Sequence, residues 1–320
     1  MGTLIIPVYK NRESLPDLLE ALSGLNSSLN NELRVTFVID ASPDSSEEYL
    51  LDHLPAEPYP SMVIRHSRNF GSFAAVRTGL EHSPGEYFAV MAADLQEPPS
   101  LVKEIFEVLK AGQADVVLGN RVSRDDPFVS SLFSNLYWSM YRKYLFPDIP
   151  KGGVDIFGCN AMVKSSIARF SETRSSLIGQ LMWVGYKRKV IGYERAKRQH
   201  GVSAWTLKKK IDYFLDSIFA FSDLPIRLLL VFGFLGVSFS LGLALIIVIS
   251  RTLGLIQVSG YSAIMLAICF FGALNLLGMG IVGTYAQRAY DNSKGRPLSI
   301  VSNIIEIPAR NKITQDHNSV

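Results

Sequence analysis

A carboxylate and a carboxamide stand two residues apart in Met91-Ala92-Ala93-Asp94-Leu95-Gln96-Glu97-Pro98-Pro99. Side-chain oxygens of this kind are ligands for a hard divalent cation such as Mg2+ or Mn2+. Before them runs Glu86-Tyr87-Phe88-Ala89-Val90, a short apolar stretch rich in strand formers. Pro98 and Pro99 stop that strand, and Ser100-Leu101-Val102-Lys103-Glu104 opens a helical pattern. Asp94 and Gln96 are therefore expected at the carboxyl end of a strand, the edge where open α/β sheets bind ligands. The same residues also suit an ordinary polar turn, so the surrounding elements have to decide.

Those elements alternate. Apolar strand runs are expected at Leu4–Val8, Leu33–Ile39, Met62–Ile64, Tyr87–Met91 and Asp115–Gly119. Helical spacing is expected over Asn11–Gly24 (Leu15, Leu18, Leu19, Leu22), after a cap at Asp44 or Ser45, over Ser72–Glu81 and over Leu101–Lys110. Such alternation implies parallel βαβ units, hence an α/β fold. Two more strand ends carry chemistry: Asp40 after the second, and Gly119-Asn120-Arg121 with Asp125 after the fifth. Pro7-Val8-Tyr9 follows the first strand, where a Gly-x-Gly-x-x-Gly or Walker loop would stand. That argues against a dinucleotide enzyme and a P-loop ATPase.

The 320 residues suffice for one large or two modest domains, and a net charge of +3 is too small to suggest a nucleic-acid binder. Cys159 and Cys269 are far apart and in unlike settings, which speaks against a disulfide framework. No basic region followed by an apolar core opens the chain, so no signal peptide is expected.

Beyond residue 125 the pattern changes. Phe128–Phe146 is aromatic and amphipathic, which suits a core helix and, second to that, a lipid-contacting one. Lys151-Gly152-Gly153-Val154-Asp155 combines close backbone approach with a carboxylate that is either functional or turn-capping. Leu177–Tyr186 reads as a helix. Tyr193-Glu194-Arg195-Ala196-Lys197-Arg198-Gln199-His200-Gly201-Val202-Ser203 is a dense cationic loop, suited to phosphate or to an anionic membrane surface. Thr206–Ser222 reads as an interfacial amphipathic helix. Leu228–Ser250 lacks any charge, as does Tyr261–Tyr285, and both are long enough to span a bilayer. Basic residues at Lys208, Lys209, Lys210 and Arg227 before them, and Arg288, Lys294 and Arg296 after, orient both flanks toward the cytoplasm. Gly278, Gly280 and Gly283 permit tight helix packing and hence a homo-oligomer.

Ile6-Pro7-Val8-Tyr9, Val38-Ile39-Asp40-Ala41-Ser42, Ser67-Arg68-Asn69-Phe70-Gly71, Ala93-Asp94-Leu95-Gln96-Glu97-Pro98-Pro99 and Gly119-Asn120-Arg121 occur in the order and spacing of family-2 glycosyltransferases. From residue 3 to about 300 the chain resembles their polyprenyl-phosphate branch, which includes dolichol-phosphate mannose synthase and bacterial relatives with two transmembrane helices. The resemblance implies a GT-A-like, Rossmann-type nucleotide-sugar domain with a mainly parallel sheet. It implies an inverting, Mg2+- or Mn2+-dependent enzyme at the bacterial inner (plasma) membrane. Its partners would be a nucleotide sugar donor, UDP-linked, and a polyprenyl phosphate acceptor, with no nucleic acid.

The domains would be a cytoplasmic glycosyltransferase domain over 1–205, an interfacial helix over 206–224, a two-helix transmembrane domain over 225–287 and a cytoplasmic tail over 288–320. Position by position, Pro7, Tyr9, Asp40, Asn69, Gly71, Ala93 and Asp94 match the nucleotide-sugar site. Asp94 and Gln96 match the metal side, and Arg121, Arg124, Arg195, Arg198 and Ser203 the phosphates and acceptor. Asp94, Asp155 and Arg121 match the catalytic set. Ile39 and Ala92 stand where many members have Asp, and Ala41 where many have Gly. Ala92 leaves Asp94 as the one carboxylate of the metal motif. Met182, between Gln180 and Trp183, breaks the Gln-x-x-Arg-Trp pattern of processive synthases. Another lipid or glycan acceptor, or a catalytically silent membrane scaffold, remains open.

Overall fold

In the computed structural model the described residues are 1–122, 139, 141–143, 145–150, 153–154, 156–172, 174–196, 207–253 and 260–310. The apolar runs form strands β1 (Gly2–Val8), β2 (Leu33–Ile39), β3 (Ser61–His66), β4 (Tyr87–Val90) and β5 (Val116–Arg121). Between them lie helices α1 (Leu15–Ser28), α2 (Ser46–His53), α3 (Ser72–His82) and α4 (Pro99–Lys110). Strands β6 (Ile156–Asn160) and β7 (Arg188–Tyr193) follow, separated by the short helices α5 (Ala161–Ile167) and α6 (Leu177–Trp183).

The 8-stranded sheet has the order β7-β5-β6-β4-β1-β2-β3, closed at one edge by β8 (Val301–Ile307). Strands β6 and β8 are antiparallel to their neighbours and all other pairings are parallel, so the sheet is mostly parallel. Side chains alternate across it. Leu4, Ile6 and Val8 of β1 join the α1–α4 core, while Ile5 joins the core under α3. Gly79 lets α3 lie directly on β1, because a methyl there would overlap the Ile5 side chain.

The C-terminal portion leaves this body and returns to it. Helix α7 (Leu207–Phe221) packs Ile218, Phe214 and Tyr213 inward, with Tyr213 stacked on Phe73 at 5.1 Å. Ile211 and Leu215, one turn apart on α7, stay exposed. Helices α8 (Leu224–Thr252, 29 residues) and α9 (Tyr261–Ser293, 33 residues) run antiparallel, Gly236 facing Phe271 and Gly278 facing Leu229. Among the described residues one segment, Leu224–Gly242 in α8, is long and apolar enough to cross a membrane, and from Ile226 onward none of it is buried. Arg288 ties the far end of α9 to the body through Asp216 of α7 at 2.6 Å.

Within the C-terminal portion, β8 adds to the edge of its own sheet, antiparallel to β3 over Ser61–His66. Strands β6 and β7 were not anticipated. Ile156-Phe157-Gly158-Cys159-Asn160 is short and carries a glycine, and the edge strand β7 exposes Lys189, Val190 and Gly192, so its pattern does not alternate. The expected helix over Phe128–Phe146 falls mostly outside the described residues.

Candidate active site

The carboxyl ends of β1 to β5 and β7 share one sheet edge, and their loops meet there. Three non-glycine residues on these loops have left-handed backbones: Lys10 after β1 (φ 58°), Ala41 after β2 (φ 48°) and Leu95 after β4 (φ 53°). Such conformations cost energy and persist where surroundings enforce them, often at functional sites.

Cross-links between loops supply that enforcement. The Lys10 amide donates to Ser42 Oγ at 2.7 Å, and Ser42 Oγ donates to Asp44 Oδ1 at 2.6 Å. Asp44 also accepts from the Arg12 amide, joining the β1 and β2 loops. Ser14, directly before α1, donates its hydroxyl to the Ala93 carbonyl at 2.9 Å and so holds the β4 loop. Arg12 lies over the Tyr49 ring at 3.8 Å. Tyr9 is exposed at the rim, and Pro7 is the half-buried penultimate residue of β1.

Asp40 is turned inward. Its Oδ1 accepts from His66 Nδ1 and from the Phe70 amide, both at 2.8 Å, and its Oδ2 from the Gly71 amide at 2.8 Å. Burial pushes the carboxyl upward, but the His66 bond and the two amides overcome it, leaving it below the ordinary aspartate value. Asp40 thus sets the Phe70–Gly71 turn, where Gly71 (φ 97°) precedes α3 and Asn69 is exposed. His66 went unnoticed in the sequence, 26 residues from its partner.

Asp94 sits half-buried in the β4 loop, its Oδ1 accepting from the Gln96 amide at 3.4 Å. The Gln96 side-chain oxygen accepts from Arg195 Nη2 at 2.7 Å. Arg195 also faces the buried Glu97 at 3.7 Å, while Glu97 accepts from the Ala92 amide. The Ala196 amide donates to the Gln96 carbonyl at 2.9 Å, docking the basic loop on the β4 loop. Arg195 therefore braces the metal-side loop in this geometry. Glu97 was a missed contributor; its place directly before Pro98-Pro99 hid it as a turn residue. Arg121 ends β5 opposite Tyr193 of β7. Arg124, Asp155, Arg198 and Ser203 lie outside the described residues.

Among the described residues no three of His, Cys, Asp and Glu gather as a metal group. The donor set is one carboxylate, Asp94, beside the Gln96 carboxamide. That set fits Mg2+ or Mn2+ if substrate phosphate oxygens and water complete the shell, as Mg2+ commonly requires. A cavity of about 430 Å3 beside Lys110, Asp115 and Asn160 opens at the opposite, amino-end edge and includes none of these loops.

A sequence model described as Glycosyl transferase family 2 matches residues 3–170. The chain is 31% identical over 303 residues to the protein CsbB of Bacillus subtilis (strain 168), covering 93% of this chain and 90% of that one. It is 28% identical over 302 residues to the bactoprenol glucosyl transferase of Shigella phage SfV, covering 94% of this chain and 98% of that one. Among solved structures, S. aureus TarS 1-349 in complex with UDP-GlcNAc matches at 17% identity and a TM-score of 0.46, over 69% of this chain and 73% of that one.

Proposed function

The chain belongs to glycosyl transferase family 2, and on that premise we propose that it moves a sugar from a nucleotide sugar, UDP-linked, to polyprenyl phosphate at the cytoplasmic membrane face. The likeness to a bactoprenol glucosyl transferase over 94% of the chain supports that acceptor class. The observation that carries the reading is one of connectivity. The sheet edge bearing Asp94 and Gln96 continues through α7, with Ile211 and Leu215 exposed, straight into the largely unburied apolar segment Leu224–Gly242. A water-soluble donor and a lipid phosphate are brought to one chain. Helix α9 serves as a second span, so that the protein is multi-pass with both flanks cytoplasmic.

The acceptor phosphate oxygen is already an anion, so its attack on the anomeric carbon needs no strong general base. The bond to the donor's diphosphate oxygen breaks as the new bond forms, on the opposite face, and the configuration inverts. Catalysis is then positioning and charge stabilisation. Asp94 and Gln96 would hold Mg2+ or Mn2+, which supplies Lewis-acid neutralisation of the departing diphosphate. The Asp40-held turn orients the nucleotide, with Pro7, Tyr9 and Asn69 at its rim. Arg121, with Arg124 and Arg198, neutralises phosphate charge. Arg195 leaves Gln96 for phosphate when the donor binds. Asp155 orients the acceptor or the sugar.

The acceptor is tested in detergent extracts supplied with labelled UDP-sugars and either polyprenyl phosphate or diacylglycerol. Labelled lipid is expected with polyprenyl phosphate alone. Equal product with diacylglycerol in its absence would refute this acceptor.

A further inference from the structure

The buried partner of Asp40 leads away from the cleft. His66 ends β3 and is 1% exposed. Its Nδ1 faces Asp40 Oδ1 at 2.8 Å, and its Nε2 faces Thr78 Oγ1 at 2.9 Å. An ionised carboxylate only accepts, so Nδ1 carries the proton. In the neutral ring Nε2 then accepts from the Thr78 hydroxyl. Thr78 Oγ1 in turn lies 2.7 Å from Ser299 Oγ. Thr78 is fully buried in α3, and Ser299 belongs to the segment that follows α9. The same segment also grips the end of β3 at two points. The Ser67 amide donates to the Ile300 carbonyl at 2.9 Å, and Ser302 Oγ donates to the Arg65 carbonyl at 3.1 Å. The β3–β8 register shifts between Arg65 and His66, where a regular ladder would otherwise continue. One continuous line of hydrogen bonds thus runs Ser299–Thr78–His66–Asp40 to the amides of Phe70 and Gly71.

We propose that His66, with Thr78 and Ser299, is a positioning relay through which the C-terminal segment sets the Phe70–Gly71 turn for the nucleotide sugar. None of the three is a catalytic residue; they act through Asp40. The relay makes the stretch after α9 part of the donor site, although it lies more than 200 positions from Asp40 in the chain. Buried polar networks that are fully satisfied specify one geometry, and opening a link leaves the remaining members able to rotate. The proposal rests on the reading of this edge as the nucleotide-sugar site.

The test uses the full-length protein in detergent with Thr78→Val, Ser299→Ala, His66→Leu and His66→Asn. Asn at position 66 keeps a donor for Asp40 but cannot reach Thr78. Two readouts are taken: hydrogen–deuterium exchange of residues 67–75 without ligand, and steady-state kinetics with direct UDP titration. The relay predicts faster exchange at 70–75 in Thr78→Val and Ser299→Ala. It also predicts a donor KM and UDP Kd raised about fivefold, on the order of one lost hydrogen bond. The acceptor KM stays unchanged, kcat stays within about twofold, and His66→Asn recovers part of what His66→Leu loses. Wild-type exchange and wild-type donor KM in both Thr78→Val and Ser299→Ala overturn the proposal. So does a loss shared equally by kcat and both KM values with a lowered unfolding temperature, which marks a merely structural role. A wild-type protein that binds no nucleotide overturns the donor-site reading instead; the exchange readout needs no ligand, so the two failures are distinguishable.

Discussion

Asp40 and Asp94 follow β2 and β4, the parallel strands on either side of β1, yet their surroundings give them opposite uses. Asp94 is half-buried at the cleft, and replacing it leaves the loop only Glu97, a buried carboxylate that faces Arg195 and the Ala92 amide. Asp94→Ala is expected to lower Mg2+-dependent turnover about 100-fold or more while leaving the unfolding temperature within a few degrees, as read by lipid product and thermal unfolding. Asp40 is held by His66 and two amides against the burial that would raise its pKa. A folded-state pKa below the unfolded one adds stability above about pH 4, which is lost as pH falls through the lower folded value. The urea midpoint of the wild type should therefore drop between about pH 5 and pH 3, and that of Asp40→Asn should drop less. Ala41 is strained in the left-handed region (φ 48°), where glycine is at ease. Ala41→Gly should raise stability by about 1 kcal/mol by relieving that strain, measured by chemical unfolding.

The elements were legible to different depths. Strands β1 to β5 announce themselves as apolar runs between helical patterns, because both of their faces are covered. Strand β7 exposes half its side chains and β6 is five residues with a glycine, so neither carries a pattern strong enough to detect. The site was legible as a set of strand-end polar residues, since loop position follows from strand order. What those residues touch was not. Asp40 looks the same in a sequence whether it faces a nucleotide or His66. Glu97 and Arg195 meet although they lie 98 positions apart in the chain. The partner of strand β8 was not legible either, because an edge strand offers the same ladder to any chain. Its pairing gives a test at this scale. Ending the chain before Leu298 removes β8 and bares the edge of β3. The truncated protein is expected to unfold at lower temperature and to self-associate in size-exclusion chromatography.

At the scale of the molecule, the sheet edge and the apolar helices are tied together by α7. Arg288 of α9 bonds Asp216 of α7 and the Arg174 carbonyl, and Arg174 faces Asp291 of α9 at 3.5 Å. The catalytic body therefore sits against the helix pair through side-chain contacts as well as through the chain. In α8 Phe234 is 73% exposed, and under the proposed membrane insertion it faces lipid. A charge there costs about 2.5–3.5 kcal/mol in a span centre. Phe234→Asp should move a large share of the protein out of the carbonate-washed membrane fraction, with the wild type as reference. The central claim joins this geometry to one reaction: sugar transfer from a nucleotide donor to a lipid phosphate, through the loop carrying Asp94. It is tested most directly by incubating membranes bearing the wild type or Asp94→Ala with polyprenyl phosphate, Mg2+ and a panel of labelled nucleotide sugars, and identifying the labelled lipid by mass. The account predicts a glycosyl phosphoryl polyprenol from the wild type, with one UDP-sugar preferred, and almost none from Asp94→Ala. Labelled product of another class, or equal product from the two proteins, would contradict it.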